Sequence, residues 1–161
     1  MNQAEGYDVR RYAGGSDSEI AALILGIQND EVGVNLTIEE QPDLLDIVSS
    51  YANGGFWVAR RRERIVGTIG LSRYGDRGAL KKFFIAREHR ARSGPAKLLF
   101  DELVREARTL GLRAIFLDTP SVATRAHAFY TRMGFVAVGR ETLPASYTFP
   151  DRDCLIFECR L

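Results

Sequence analysis

Three strand-like segments in the middle of the chain follow one another with very short connections. The segments are Phe56–Arg60, Ile65–Leu71 and Ala79–Ile85, and polar turns separate them. Parallel neighbours require a crossover of about a dozen residues or more, so connections this short predict that adjacent strands run antiparallel. This part of the chain is therefore predicted to form an antiparallel meander.

A strand–helix–strand pattern comes next. Apolar residues recur with helical period from Leu98 to Leu110, and Gly111 is placed to end that helix. The segment Leu112–Leu117 then has the composition of a buried strand. Since a strand, a helix and a strand in succession form a right-handed crossover, the strands on either side of this helix are predicted to be parallel.

The two ends of the chain supply the remaining elements. Tyr7–Tyr12 alternates like a short strand. Ser16 and Glu19 have the spacing of a capping box, which predicts the start of a first helix. A second helix is predicted from Pro42 to about Tyr51. The last predicted elements are a helix that contains Ala126–Tyr130 and the strands Phe135–Glu141 and Asp153–Arg160.

Length and composition fit one domain. The chain has 161 residues, of which 45% are hydrophobic and 27% charged, and no linker or repeat divides it. We therefore expect residues 1–161 to form a single α+β domain in the order β-α-α-β-β-β-α-β-α-β-β. The net charge of +1 gives no general attraction to nucleic acid or to a membrane surface.

The segment His89–Leu99 is the part of the sequence that most directly indicates chemistry. It follows a strand and opens a helix, so its backbone N–H groups and the positive end of the helix dipole suit a phosphate or pyrophosphate. Arg90 and Arg92 add charges that can pair with phosphate oxygens, and Pro95 fits the first helical turn. The alternative interpretation is an ordinary capped helix with two solvated arginines.

This segment resembles the pyrophosphate loop of the GNAT superfamily of N-acetyltransferases. The family motif is Arg or Gln, two residues, Gly, one residue, then Gly or Ala, and Gly94-Pro95-Ala96 matches its second half. Gly94 follows Arg90 by four residues rather than three. Either the loop is one residue longer here, or Ala91 occupies the first position of the motif.

A second block carries the same resemblance. The stretch from Ala126 to Phe135 is similar to the family's Ala-x-x-x-Tyr-x-x-x-Gly-Phe pattern, with Tyr130 as its tyrosine. Ala123 stands where the family often has Asn. The tail is also similar to that of a subgroup of small GNAT enzymes, at Leu143-Pro144, Phe149-Pro150 and Asp153.

The resemblance implies both a fold and a reaction. The implied fold is a mixed, mostly antiparallel sheet of about seven strands with helices on both faces. The sheet is expected to split between the strand ending at Ile85 and the strand Leu112–Leu117, with the thioester of acetyl-CoA in the opening. The implied reaction transfers an acetyl group from acetyl-CoA to a primary amine of a small molecule or protein, by direct attack in a ternary complex. The family also implies a homodimer formed through the last strands.

The residues implied to bind the cofactor lie on a strand end, a loop and a helix. The CoA phosphates are expected over the amides from Arg92 to Ala96, and the strand end is expected to bind the pantetheine. The residues assigned to acetyl-CoA are Phe83, Phe84, Ile85, Arg90, Ala91, Arg92, Ser93, Gly94, Pro95, Ala96, Phe129 and Tyr130.

Two residues are candidates for catalysis. Tyr130 matches the family tyrosine near the CoA sulfur and is assigned as general acid. The less favoured alternative is that Phe129 and Tyr130 form a helix-to-sheet core pair. Asp118, at the end of its strand, is the best candidate for the general base. Three further carboxylates stand where the acceptor pocket is expected, or else complement the dipole of a helix first turn. These are Glu39, Glu40 and Asp43.

The arginine run, the histidines and the cysteines bear on nucleic-acid binding, metal binding and cellular compartment. Arg60–Arg64 contains four arginines without interleaved aromatic residues, which favours a solvated hairpin tip over a nucleic-acid patch. His89 and His127 have no cysteine partner at metal-ligand spacing, so no metal is expected. Cys154 and Cys159 are expected to be reduced thiols in a cytoplasmic protein.

Three functions are compared. An acetyl-CoA-dependent N-acetyltransferase is the leading hypothesis. A non-catalytic acyl-CoA-binding or sensing domain of the same fold is the alternative, which the altered loop spacing and the lack of an obvious base favour slightly. A DNA-binding regulator is disfavoured, because the sequence has no helix-turn-helix pattern.

Overall fold

The strands form one mixed sheet. The computed structural model describes residues 6–148 and 153–161. The strands found there are β1 (Asp8–Arg11), β2 (Gly55–Arg61), β3 (Arg64–Tyr74), β4 (Arg77–Ile85), β5 (Ala114–Pro120), β6 (Val136–Val138) and β7 (Cys154–Arg160). They lie in the order β1-β2-β3-β4-β5-β7-β6, and every neighbouring pair is antiparallel except the parallel pair β4 and β5. The predicted fold class, meander and parallel crossover are confirmed.

Helices cover both faces of the sheet. The helical segments are α1 (Asp17–Gly26), a π-helical turn (Ile27–Val32), a 3₁₀ turn (Pro42–Leu45), α2 (Ile47–Ser50), a 3₁₀ turn (Arg87–His89), α3 (Ala96–Thr109), α4 (Thr124–Arg132) and a 3₁₀ turn (Arg140–Thr142). Helices α1 and α2 pack on one face through Ile20, Ile24 and Ile47. Helices α3 and α4 pack on the other through Leu99 and Tyr130, among others. We refer to these as the α1 face and the α3 face.

Helix α3 follows directly from its sequence. Leu99, Leu103 and Ala107 recur at four-residue intervals and are completely buried against the sheet. Gly111 adopts a φ of +73°, which a glycine reaches without steric cost, and its N–H donates to a carbonyl of the last helical turn. The chain therefore leaves the helix at the predicted residue and enters β5.

The predicted capping box at the start of α1 is wrong. The Ser16 side chain makes no capping hydrogen bond, and its backbone N–H instead donates to the Tyr12 hydroxyl at 2.6 Å. Glu19 does not reach back to Ser16, because its carboxylate accepts the backbone N–H of Ile65 at 2.9 Å. A contact with the start of β3 has thus replaced the local reciprocal cap.

The second predicted helix is divided into two short pieces. Asp46 separates the 3₁₀ turn from α2, since its φ of −149° and ψ of 82° are not helical, and its side chain accepts the N–H of Ser49. The range predicted for this helix contains four aliphatic residues, and only two of them are buried. Leu44 and Ile47 enter the core, whereas Leu45 and Val48 are 65% and 46% exposed.

The predicted strand Phe135–Glu141 is shorter than expected. Gly134, with a φ of +98°, lets the N–H of Phe135 donate to the carbonyl of Tyr130, which keeps Phe135 at the end of α4. Only Val136–Val138 then pairs with β7, and the chain turns into a 3₁₀ turn. The predicted tail residues Phe149-Pro150 lie outside the described part of the chain.

Candidate active site

The sheet opens between its two parallel strands. Strands β4 and β5 pair only at Arg77–Ala79 with Ala114–Phe116, and the rest of the two strands lies outside that ladder. The predicted split of the sheet is therefore present. Backbone groups along the second half of β4 face this opening instead of a neighbouring strand, because a ladder bond requires the pairing that is missing here.

A β-bulge shapes the β4 side of the opening. Thr68 pairs with Phe84 and Gly70 pairs with Lys81, so Lys82 and Phe83 together oppose a single residue of β3. Lys82 adopts a φ of +52°, which is uncommon for a residue with a side chain, and its carbonyl accepts the Thr68 hydroxyl at 2.7 Å.

The bulge changes which side chains share a face. Phe83 and Ile85 pack with the core of the α3 face, while Phe84 packs with the core of the α1 face. Lys82 reaches the side chain of Gln41, which belongs to the segment after α1. The extra residue thus resets the strand's alternation, and a polar lysine is kept out of the apolar α3 face.

The predicted phosphate loop joins β4 to α3. Residues Ala91–Ser93 are exposed and Gly94 and Pro95 are buried. A side chain at Gly94 is excluded by the loop itself, because a Cβ there would lie 2.1 Å from the carbonyl oxygen of His89. The N–H of Gly94 donates to the carbonyl of Ala91 at 2.8 Å. The first amides of α3 have no intrahelical acceptor and remain available at the mouth of the opening.

The two arginines of this loop are in different situations. Arg90 donates Nε to the carbonyl of Ile85 at 2.8 Å, and its two terminal nitrogens contact the carboxylate of Glu31 at 2.7 and 2.8 Å. This pairing holds the pKa of Glu31 below its usual range. Arg92 is exposed and has no carboxylate within ion-pair distance among residues 6–148 and 153–161. Of the two, Arg92 is the one with a free guanidinium.

Tyr130 lies on α4 beneath the opening. It is 6% exposed, and its ring packs against Phe83, Phe135 and Phe157 with centroid distances of 5.5–6.3 Å. Within the described ranges its hydroxyl has no hydrogen-bond partner. Burial, and then the negative charge of Asp118, raise the pKa of Tyr130 above its ordinary value, so the phenol is protonated at neutral pH.

Asp118 lies on β5, across the opening from the bulge. Its carboxylate accepts a hydrogen bond from the hydroxyl of Tyr147, which the sequence analysis did not identify. Tyr147 packs against Phe116 and Tyr74 with centroid distances of 5.1 and 5.4 Å. Burial, followed by the charge of Asp118, raises the pKa of Tyr147. The candidate base is thus covered by a tyrosine that arrives from a segment 29 residues away.

A polar cluster on the α1 face was also missed. Lys82 Nζ donates to Gln41 Oε1 at 2.6 Å and lies 3.7 Å from the carboxylate of Asp43. Asp43 accepts the Tyr51 hydroxyl at 2.6 Å, and the side chains of Gln41 and Gln28 exchange two hydrogen bonds at 2.8 and 2.9 Å. Burial lowers the pKa of Lys82.

Of the three carboxylates predicted to line the acceptor pocket, Asp43 belongs to this cluster. Glu39 and Glu40 are exposed, and Glu40 accepts hydrogen bonds from Thr37 next to it. The signal that could have identified the cluster is the pair of adjacent lysines in a strand, since two neighbouring cations rarely both fit a sheet with two covered faces.

The remaining predictions concern the surface and the thiols. The arginine-rich tip is an exposed two-residue hairpin turn, in which Arg62 and Glu63 have φ values of 50° and 70°. In the described part of the chain, neither Cys154 nor Cys159 forms a disulfide bond. The described residues contain no group of three or more potential metal ligands. None of the helices in the described ranges has the length and apolar character needed to cross a membrane.

Comparison with protein families identifies the class. The model of the acetyltransferase (GNAT) family matches residues 21–135, which include the paired part of β4 and β5, the predicted phosphate loop and Tyr130. The chain belongs to the GNAT acetyltransferase family.

Individual relatives agree with this assignment. The chain is 36% identical over 107 residues to human N-acetyltransferase 8, and 33% identical over 109 residues to the probable N-acetyltransferase camello of Xenopus tropicalis. These matches cover 61% and 64% of this chain, and 47% and 49% of the two relatives. The chain thus spans about half the length of the curated relatives it matches.

Solved structures share the fold over nearly the whole chain. An acetyltransferase from Streptococcus agalactiae superposes with a TM-score of 0.92 at 34% identity, and covers 98% of this chain and 99% of its own. N-acetylglutamate synthase from Neisseria gonorrhoeae, complexed with coenzyme A and N-acetyl-glutamate, superposes with a TM-score of 0.75 at 18% identity. That match covers 96% of this chain and 35% of the synthase, and it shows the fold alone.

Proposed function

We propose that this protein transfers the acetyl group of acetyl-CoA to a primary amine in a ternary complex. The observation that carries the proposal is the opening between β4 and β5, which has a buried, protonated tyrosine on the α3 face and a polar cluster on the α1 face. A thioester in this opening is accessible to an amine from the α1 face while its sulfur lies toward Tyr130.

Acetyl-CoA binds along β4 and across the start of α3. The pantetheine contacts the backbone of Phe83, Phe84 and Ile85, and the pyrophosphate lies over the loop Ala91–Ala96. The free amides at the helix start and the guanidinium of Arg92 supply the hydrogen bonds. Arg90 positions this loop through Ile85 and Glu31 instead of contacting phosphate directly.

The chemistry requires three proton and charge events. The amine attacks the thioester carbonyl carbon, and backbone N–H groups at the β4 bulge stabilise the oxyanion that forms. The N–C bond is then complete, the C–S bond breaks, and the Tyr130 hydroxyl donates a proton or a hydrogen bond to the departing thiolate. Before the attack, Asp118 accepts a proton from the ammonium form of the amine once Tyr147 releases the carboxylate. The second N–H proton, lost as the amide forms, replaces the proton that Tyr130 gives to the thiolate.

A non-catalytic acyl-CoA-binding domain is the second candidate. Asp118 is occupied by Tyr147, and Asp43 is hydrogen-bonded to Tyr51 and lies 3.7 Å from the Lys82 ammonium. If both carboxylates keep these partners, the site can bind acetyl-CoA but has no carboxylate ready to accept a proton from an amine.

One experiment separates the two functions. Acetyl-CoA binding is measured by calorimetry, and release of free CoA thiol is measured with a panel of amines. A transferase gives amine-dependent thiol release. Binding without amine-dependent release for every amine contradicts the transferase and supports the binding domain.

We also propose that the chain forms one domain, functions in the cytoplasm and forms a homodimer. Two cysteines that form no disulfide bond within the described residues suit a reducing compartment. Strand β6 is at the sheet edge, and Val136 on it is 62% exposed. Sedimentation equilibrium of the wild-type protein and of Val136→Lys tests the dimer, and a monomer in both contradicts it.

A further inference from the structure

A cavity of about 350 Å³ lies on the α1 face beside the opening. Its walls come from the 3₁₀ turn and α2 on one side and from β3 and β4 on the other. The lining residues that bear on ligand charge are Asp43, Tyr51, Arg73 and Lys81. This volume is in the range of small-molecule sites, and the lining is mainly polar.

The cavity contains two cations that lack an anionic partner. Within the described ranges, neither Lys81 nor Arg73 has a carboxylate within 4.0 Å. The Lys81 ammonium lies 5.3 Å from the centre of the Tyr147 ring, and the Arg73 guanidinium donates only to the carbonyl of Gly75. Lys81 is half-buried, so its charge is less well screened than that of a surface lysine.

The acidic group of the cavity does not neutralise these cations. Asp43 is already engaged, because its carboxylate accepts the Tyr51 hydroxyl at 2.6 Å and lies 3.7 Å from Lys82 Nζ. Asp43 and Lys82 therefore cancel each other's charge at short range. Lys81 and Arg73 remain, and the cavity as a whole favours an anion.

The cavity is also adjacent to the place where an acceptor amine must react. Lys81 is the last residue of β4 before the bulge, in the part of the strand that no longer pairs with β5. Its ammonium lies over the ring of Tyr147, and the hydroxyl of the same tyrosine donates to Asp118. A molecule in the cavity can therefore place one end at Lys81 and the other at the opening.

We propose that the acceptor is a small primary amine that also carries an anionic group, and that Lys81 and Arg73 bind that group while the amine points into the opening. This inference rests on the proposed acetyl transfer and names its substrate class. Lysine and arginine pair with a carboxylate or with a phosphate monoester, so the shared property is the negative charge. A cavity of about 350 Å³ holds a group of the size of a free amino acid or a phosphorylated amine, and the charge of either one fits the two cations.

Matched acceptors test the proposal. Thiol release is measured with glycine and glycinamide, with β-alanine and β-alaninamide, and with 2-aminoethyl phosphate and ethanolamine. Each pair differs in the anionic group, and the three pairs differ in its type and in its distance from the amine. Replacement of the anionic group also changes the basicity of the amine. For each pair, the ratio of kcat/KM for the anionic amine to kcat/KM for the neutral amine is therefore compared between wild type and Lys81→Gln.

Lys81→Gln removes the charge and keeps most of the side chain. For the preferred anionic acceptor we expect kcat/KM to fall about 10–100-fold through KM, and for its neutral partner to change less than about twofold. Arg73→Gln is expected to give a smaller loss in the same direction, since Arg73 is exposed. Arg105→Gln, which removes an exposed charge on α3, is the control and is expected to change neither acceptor.

The outcomes are distinguishable. One outcome overturns the anionic acceptor and leaves the acetyl transfer intact. In it, the wild-type protein acetylates the neutral amine of every pair at least as well as the anionic one, and Lys81→Gln does not change the ratio of the two kcat/KM values. A protein that acetylates none of the amines contradicts the proposed function. In that case calorimetric titration with N-acetyl-β-alanine and N-acetyl-β-alaninamide still tests the cavity, and equal affinities overturn its anion preference.

Discussion

At the scale of single residues, Tyr130 supports the sharpest prediction about chemistry. Tyr130→Phe removes the hydroxyl and retains the ring contacts with Phe83, Phe135 and Phe157. Because general acid catalysis contributes about 10²–10⁴-fold, we expect kcat to fall by that factor while the acetyl-CoA Kd is nearly unchanged. Steady-state kinetics and calorimetry measure the two quantities.

A matched tyrosine provides the control for this prediction. Tyr12 is buried on the α1 face, where its hydroxyl donates to Asp17 at 2.6 Å. Tyr12→Phe is expected to lower the free energy of unfolding by about 1 kcal/mol and to leave kcat unchanged. Wild-type turnover in Tyr130→Phe, with chemistry shown to be rate-limiting, would assign Tyr130 to packing alone.

Arg92 and Arg90 are predicted to respond differently to truncation. Arg92→Ala is expected to raise the acetyl-CoA Kd roughly 10-fold without a change in stability, because the free guanidinium is lost from the phosphates. Arg90→Ala is expected to lower the unfolding free energy, because Glu31 and the carbonyl of Ile85 lose their partner. Calorimetry and urea unfolding distinguish the two. The assignment fails if Arg92→Ala binds acetyl-CoA as tightly as wild type.

At the scale of elements, the loop before α3 depends on a glycine for its shape. In Gly94→Ala even the added methyl group would lie 2.1 Å from the carbonyl oxygen of His89, so the loop must move. We expect Gly94→Ala to raise the acetyl-CoA Kd. Gly94→Glu is expected to raise it further, because the added carboxylate repels phosphate. Gly26→Ala in α1 is the control, because a methyl group there meets no atom within 4 Å. Equal calorimetric affinities in all three variants would contradict a phosphate site here.

The π-helical turn is joined to the same loop by the Glu31–Arg90 ion pair. Since this pairing lowers the pKa of Glu31 in the folded state, the stabilisation is present at neutral pH and is lost as the pH falls through the folded pKa. Glu31→Gln is expected to cost on the order of 1 kcal/mol at pH 7 and progressively less below about pH 4. Urea unfolding at both pH values measures the difference. A cost that is constant with pH would show that charge pairing contributes nothing.

At the scale of the whole molecule, acetyl-CoA is expected to stabilise the fold, because its proposed site lies between two strands of the central sheet. A ligand at 100 times its Kd adds about 2.7 kcal/mol, which corresponds to a rise in Tm of roughly 5–10 °C for a chain of this length. S-acetylpantetheine at the same concentration lacks the phosphates and is expected to give a much smaller shift. Differential scanning calorimetry compares them, and equal shifts would argue against phosphate binding at the α3 loop.

Local patterns predicted most of the fold. Short connections required the antiparallel order of β2, β3 and β4, and the helix between β4 and β5 required a parallel pair. The loop between β4 and α3 and the helix that carries Tyr130 were also visible in the sequence, since each belongs to a contiguous motif. These features depend on residues that are close together in the chain, and their spacing is therefore informative.

The contacts that the sequence did not predict involve partners that are distant in the chain. The capping box at Ser16 was replaced by a bond between Glu19 and Ile65, 46 residues away. The ion pair of Arg90 with Glu31, 59 residues away, was not predicted either, and phosphate binding by Arg90 stays a prediction. Periodicity and spacing contain no information about such pairs.

The sequence by itself determined the order and direction of the central strands and the position of the loop that opens α3. The tertiary structure decided what surrounds the opening: the bulge at Lys82, the tyrosine over Asp118 and the unpaired cations of the cavity. The physical reason is that strand direction follows from connection length, whereas a side chain's charge partner depends on which distant segments fold against it.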